Sequence, residues 1–213
     1  MKRIKMLGLA VVAALMLAGL AAGSASATVF CKNATKPCSE RYPKETELHL
    51  RLEEGTSLVK KTDDESKTID SCNMSTITMT TSNEGSETET VSATVNETTL
   101  GNCKFPNAVV AKGSMEFHYD EETGNTIVTG KSTTITEKIF TFGGLFIDHC
   151  WYGYGTGTTL GTLTQPATAF SDTVFHMNVT IKFIEGSAEC PASTVWQATY
   201  TVTSPVPLYV ANS

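Results

Sequence analysis

Positively charged residues are scarce in this chain of 213 residues. Lys and Arg number 16 against 22 Asp and Glu, which gives a formal charge of −6. Surfaces that bind nucleic acids or anionic membranes are rich in Lys and Arg. The composition therefore argues against nucleic acid as a partner.

The sequence also lacks the motifs of several common active sites. It has no Gly-x-Ser-x-Gly turn, which carries the nucleophile of many serine hydrolases, and no calcium-binding loop. Gly130-Lys131-Ser132 ends like a phosphate-binding loop, but Asn125 stands where that motif requires its first glycine. We predict no catalytic residue, no cofactor-binding residue, no metal ligand and no cofactor.

The four histidines do not indicate a metal site. His49, His118 and His176 are expected on the polar sides of strands, and no two histidines have the spacing of metal ligands. His149 lies between Asp148 and Cys150 without a recognisable nucleophile nearby in sequence. We interpret the histidines as ordinary surface residues.

A long apolar run occurs only near the N-terminus. Lys2, Arg3 and Lys5 precede the apolar run 6–23, and small residues follow it at 24–27. This order predicts a secretory signal peptide, residues 1–27, cleaved after Ala27. An uncleaved anchor is the less favoured alternative, since about 18 apolar residues can just span a bilayer.

Cleavage at this position leaves residues 28–213 as the mature chain. The removed segment carries three positive charges and no negative ones, so the formal charge falls from −6 to −9. We predict a single secreted domain, extracellular or at the cell surface, with no membrane contact after cleavage.

All six cysteines follow the predicted cleavage site. An even number of cysteines in an exported chain indicates disulfides. Because short loops close most easily during folding, we predict the pairs Cys31–Cys38, Cys72–Cys103 and Cys150–Cys190. A structural zinc site is not favoured, because the closest two cysteines are seven positions apart and zinc ligands pair at shorter spacing.

The mature chain has no segment with the apolar period of a helix. Alternation with period two recurs instead, most clearly at 173–184, where Phe175, Val179 and Ile181 share one face. About ten short strands separated by Gly, Asn and Pro turns predict an antiparallel β-sandwich, with a closed β-barrel as the alternative.

Two local expectations concern the first strands. The turn Glu54-Gly55 between the alternating segments 48–52 and 56–61 predicts a β-hairpin. The charged run 60–67 is interpreted as a solvated loop.

Aromatic residues are concentrated between positions 146 and 157. Trp151 is interpreted as a core residue beside a disulfide, as is common in sandwiches. Tyr152 and Tyr154, next to the glycine-rich run 153–157, are the candidate ligand contacts, because tyrosines near a tight turn can form a platform for a sugar or an apolar patch.

Both ends of the mature chain carry distinctive motifs. Cys31-Lys32, Pro37-Cys38 and Arg41-Tyr42-Pro43 lie at one end, and Cys190-Pro191 with the run 196–211 (WQATYTVTSPVPLYVA) at the other. The chain resembles a group of uncharacterised secreted bacterial β-rich proteins with these motifs. The resemblance implies a bacterial host and transfers no activity or site residue.

These observations favour a secreted, non-enzymatic β domain in cell-surface or extracellular interaction, with an extracellular protein or glycan as its partner. The first alternative is a secreted hydrolase acting on glycans or peptides. The second is a secreted inhibitor that presents the 31–38 loop to an enzyme.

Overall fold

The computed structural model describes residues 27–104, 109–140, 147–166, 172–188 and 190–213. The side chains of 109–111, 132–140 and 147–149 are not included in that description. The predicted signal peptide, apart from Ala27, lies outside the described residues. Within them, no helix is long and apolar enough to cross a membrane.

The described part of the chain is built from β-strands and their connections. The strands are β1 (Thr28–Cys31), β2 (Glu47–Leu52), β3 (Leu58–Thr62), β4 (Thr68–Thr81), β5 (Val91–Cys103), β6 (Val109–Tyr119), β7 (Thr126–Phe140), β8 (Ile147–Tyr154), β9 (Thr158–Thr164), β10 (Val174–Gly186), β11 (Ser193–Ser204) and β12 (Tyr209–Asn212).

Ten of these strands form one antiparallel sheet around a shared core. Each strand from β4 to β7 pairs with the next, and β10 pairs with β11. β8 and β9 each pair with both β7 and β10, while β2 and β3 each pair with both β11 and β4. The predicted all-β antiparallel fold is confirmed. Its packing is sandwich-like, and its hydrogen-bonded ladder is continuous around the core.

The predicted hairpin between β2 and β3 is wrong. Both strands run antiparallel to β4, β2 along residues 76–80 and β3 along residues 68–72, so they lie end to end. The turn between them, where Gly55 has a φ of 78°, separates the two strands but does not reverse the direction of the chain. Leu52 and Leu58 on either side of it are both buried, so the same sheet face continues across the interruption.

The core is formed by the alternating faces of the strands. On β10, Phe175, Val179 and Ile181 are buried while His176 and Thr180 are exposed, as the sequence pattern predicts. On β11 the buried set is Trp196, Ala198, Tyr200 and Val202. A second, smaller cluster lies where β1 pairs with β12.

Three disulfides tie this fold together, and they join the pairs that loop length predicted. Cys72–Cys103 joins residues that are cross-strand partners on β4 and β5. Cys150–Cys190 joins β8 to the segment before β11, and Cys31–Cys38 closes the loop after β1. The three bonds are compatible with an extracellular protein.

Candidate functional site

Tyr152, one of the two candidate ligand contacts, lies in the core. Its side chain is fully buried, and its ring meets the Phe183 ring edge-on at 6.1 Å between centroids. Burial raises the pKa of the Tyr152 hydroxyl to about 12. The Tyr152 hydroxyl has no hydrogen-bond partner among the described residues. This ring is therefore not presented to a ligand at the surface.

Tyr152 and Tyr200 provide a matched test of this placement. Tyr200 is also buried, but its hydroxyl lies 2.9 Å from Ser75 Oγ. We expect Tyr152→Phe to leave the free energy of unfolding unchanged or raise it, because it removes an unsatisfied buried hydroxyl. Tyr200→Phe should lower it by about 1 kcal/mol, because it leaves the Ser75 hydroxyl without this bond.

Urea denaturation followed by tryptophan fluorescence measures both variants. A loss above about 1 kcal/mol for Tyr152→Phe contradicts the placement of an unsatisfied hydroxyl in the core.

Tyr154, the other candidate contact, is half-buried and packs over Gly130. A methyl group added at Gly130 would come within 1.9 Å of Tyr154 Cε2, so the ring occupies the space that the glycine leaves open. With Leu160, Met177 and Trp196, Tyr154 lines an almost entirely apolar core cavity of about 60 Å³. A cavity of this size and lining suits a small apolar group rather than a sugar.

Trp151 differs from its expected position. Cys150 and Tyr152 are buried on one face of β8, so Trp151 between them projects from the opposite face and is half-buried. Tyr152 takes the core position that was expected for Trp151.

An open cleft lies between the disulfide-closed loop and the body of the fold. Its volume is about 210 Å³, and its walls include residues 33–36, Tyr119, Gln165 and residues 209–211. Lys36 Nζ donates a hydrogen bond to the Tyr119 hydroxyl at 3.1 Å and lies 5.4 Å from the ring centroid. The hydrogen bond that Lys36 donates to the Tyr119 hydroxyl raises the pKa of Lys36, so its ammonium stays charged at neutral pH.

Both walls of this cleft are held by internal bonds. On the loop side, Asn33 Nδ2 donates to Ser39 Oγ at 3.1 Å, and Cys31–Cys38 closes the loop. On the other side, Gln165 Nε2 donates to the carbonyl oxygens of Gly124 at 3.2 Å and Val210 at 2.6 Å. A cleft organised before binding loses less conformational entropy when a ligand enters.

A buried charged pair lies elsewhere in the core. Lys60 on β3 and Asp70 on β4 are direct cross-strand partners, with Lys60 Nζ 3.6 Å from Asp70 Oδ2 and both side chains 2% exposed. Lys60 Nζ also lies 5.4 Å from the centroid of the Trp196 ring. The loss of hydration on burial lowers the pKa of Lys60 to about 8, although Asp70 opposes that shift.

The interpretation of 60–67 as a solvated loop is wrong for its first residues. Lys60 and Lys61 belong to β3, and Lys60 is almost completely buried. The alternation that begins at Leu58 places position 60 on the core face. The interpretation as a loop followed instead from the usual preference of lysine for water. The position becomes tolerable because Asp70 and Trp196 lie beside it in the folded sheet.

One group of metal-ligand types occurs within the described residues, and it adjoins this pair. Asp70, Cys72 and Cys103 place their ligand atoms within 4.8 Å of one another. The two sulfur atoms are joined in the disulfide and Lys60 faces the carboxylate, so this group does not have the chemistry of a metal site.

The described histidines are dispersed over the outside of the sheet. His49 Nε2 lies 3.4 Å from Glu47 Oε2, and His118 Nε2 lies 2.9 Å from Thr129 Oγ1. His176 is exposed on β10, and the side chain of His149 falls outside the described set. The structure brings no two of the three together in a described metal-ligand group.

Comparison with protein-family models, with curated proteins and with solved structures found no match to this chain.

Proposed function

We propose that this chain is a secreted, non-enzymatic interaction domain that binds an extracellular protein or glycan in the cleft beside Lys36. The proposal rests on the cleft itself. Its lining contains the Lys36 ammonium next to the Tyr119 ring, and both of its walls are held by internal bonds. The predicted signal peptide and the three disulfides support an extracellular place of action.

The size of the cleft indicates what it accommodates. Pockets for free small molecules usually measure about 300–1,000 Å³, whereas this cleft measures about 210 Å³. It therefore suits one group presented by a larger partner, such as one sugar unit or one side chain. The Lys36 ammonium favours a group that carries hydroxyl or carboxylate oxygens.

Binding to a glycan array and to immobilised extracellular proteins tests the proposal. We expect Lys36→Met to weaken binding about ten-fold or more, because a hydrogen bond from a charged donor is lost. Lys32→Met is the matched control. Lys32 is exposed on the same loop and lies 5.7 Å from the Tyr42 ring centroid, but it does not line the cleft.

Equal binding by Lys36→Met and the unmodified chain contradicts the proposed site. Measurable turnover of generic glycan or peptide substrates contradicts the non-enzymatic function. The hydrolase alternative gains no support from this cleft, because its described lining contains neither Asp nor Glu.

A secreted inhibitor is the second candidate, since one observation favours it. Residues 34–37 of the disulfide-closed loop are exposed, so the loop is accessible to an enzyme. Inhibition assays against serine, cysteine, aspartic and metalloproteases test this function. Inhibition that is lost in Lys36→Met supports it, and a lack of inhibition across all four classes contradicts it.

A further inference from the structure

The Lys60–Asp70 pair holds a nucleophile and an acyl group next to each other in the core. The two residues face each other across β3 and β4, and 3.6 Å separates Lys60 Nζ from Asp70 Oδ2. The pair lies one alternate position along β4 from the Cys72–Cys103 disulfide. A charged pair in such a place has a large desolvation cost that its mutual attraction only partly offsets.

We propose that Lys60 and Asp70 condense into an intramolecular isopeptide bond. This modification is independent of the proposed binding function. It converts two buried charges into one neutral amide and gives the fold a covalent tie that is not a disulfide.

The condensation balances without an oxidant, a reductant or another reactant. Proton transfer from the Lys60 ammonium to the Asp70 carboxylate first produces a neutral amine and a neutral carboxylic acid. The Nζ lone pair then adds to Asp70 Cγ, which forms the Nζ–Cγ bond and a tetrahedral intermediate. The Cγ–Oδ2 bond breaks as this intermediate collapses to the amide. Oδ2 leaves as water with one proton from the acid and one from the amine.

Two features of the site favour this reaction. The Ser71 backbone N–H donates to Asp70 Oδ1 at 2.8 Å, so the oxygen that gains negative charge in the tetrahedral intermediate already has a hydrogen-bond donor. The lowered pKa of Lys60, about 8, increases the fraction of neutral amine near neutral pH.

The bond has a structural consequence for three consecutive strands. Cys72–Cys103 already ties β4 to β5, and the isopeptide bond ties β3 to β4. Because an amide is not cleaved by thiols, the β3–β4 tie would persist when the disulfides are reduced.

Mass spectrometry of the purified full chain tests the proposal directly. After the disulfides are reduced and the N-terminus is determined, the intact mass should be about 18 Da below the sequence value, which corresponds to one water. Trypsin should not cleave after an acylated Lys60. Residues 52–61 should therefore be recovered joined to residues 68–104, with residues 62–67 released.

The peptide map separates the isopeptide bond from a succinimide at Asp70-Ser71, which would also remove one water. A succinimide leaves Lys60 cleavable, so a separate peptide 52–60 would be recovered and would overturn the proposal. An intact mass equal to the sequence value would also overturn it.

Two lysine variants complete the experiment. Lys60→Met should lose the mass deficit and the joined peptide. Lys61→Met is the matched control, because Lys61 is also within 3.5 Å of a carboxylate, that of Glu65, but is partly exposed. Lys61→Met should keep the deficit, and its loss there would contradict the assignment to Lys60. If Lys60→Met does not fold, the map of the unmodified chain still decides the question.

Discussion

Asp70→Ala is expected to lower the free energy of unfolding by about 3–5 kcal/mol, the usual effect of removing one partner of a buried charged pair. Asp70 Oδ2 lies 3.6 Å from Lys60 Nζ, and both side chains are 2% exposed. The variant removes the carboxylate beside a buried lysine and also removes the acyl group of the proposed amide. Urea unfolding monitored by circular dichroism and tryptophan fluorescence gives the value.

A neighbouring exposed pair, between Lys61 at the end of β3 and Glu65 in the connection after it, is the control for Asp70→Ala. Lys61 Nζ lies 3.5 Å from Glu65 Oε2, but the Glu65 side chain is 48% exposed. Solvent-exposed ion pairs contribute little, so we expect Glu65→Ala to change stability by less than about 1 kcal/mol. If Asp70→Ala and Glu65→Ala lower the free energy of unfolding by similar amounts, burial of the Lys60–Asp70 pair does not increase its contribution to stability.

Replacing Cys150 and Cys190 together by alanine is expected to lower the free energy of unfolding by about 4 kcal/mol. The two cysteines are 40 positions apart, so their bond removes much conformational entropy from the unfolded chain. The Cys31/Cys38 double alanine variant should lower the free energy of unfolding by only about 2 kcal/mol. A disulfide that closes a shorter loop removes less conformational entropy from the unfolded chain. The Cys31–Cys38 bond spans seven positions.

The urea denaturation midpoints of the two double variants test this order. The midpoints rank stability when the free energy of unfolding depends equally steeply on urea concentration in both variants. The opposite order would show that the folded-state contacts of the loop after β1 outweigh the entropy of the unfolded chain. A variant that is already unfolded without denaturant would show that its disulfide is required for folding and contributes more than the loop-length estimate.

The loop-length argument explains why cysteine pairing could be predicted from the sequence. The predicted pairs join cysteines that are consecutive along the chain, at separations of 7, 31 and 40 positions. The structure brings them together by local connections, such as the pairing of β4 with its next strand β5. A fold with more crossovers would have broken the link between proximity in sequence and proximity in space.

The cleft beside Lys36 could not be predicted in the same way. Lys36 and Tyr119 are 83 positions apart, and Gln165 bonds to Val210 across 45 positions. Lys36, Tyr119 and Gln165 belong to none of the motifs in the sequence, and lysine and glutamine are common at surfaces. The sequence indicates only that a Cys31–Cys38 bond closes a small loop.

The sequence alone determined that this chain is an antiparallel β protein with three disulfides. Period-two alternation and the number and spacing of cysteines are local properties, and they do not depend on which strands later become neighbours. Phe175, Val179 and Ile181 are buried on one face of β10 for this reason.

Only the tertiary structure decided where the exceptional residues lie. Lys60 is buried because β3 pairs with β4 and β11, which bring Asp70 and Trp196 beside it. The hairpin prediction failed because β2 and β3 lie end to end and pair with β4 on one side and β11 on the other, rather than with each other. The charged pair in the core and the continuous hydrogen-bonded ladder around it both depend on contacts between segments that are distant in sequence. Local sequence patterns do not specify such contacts.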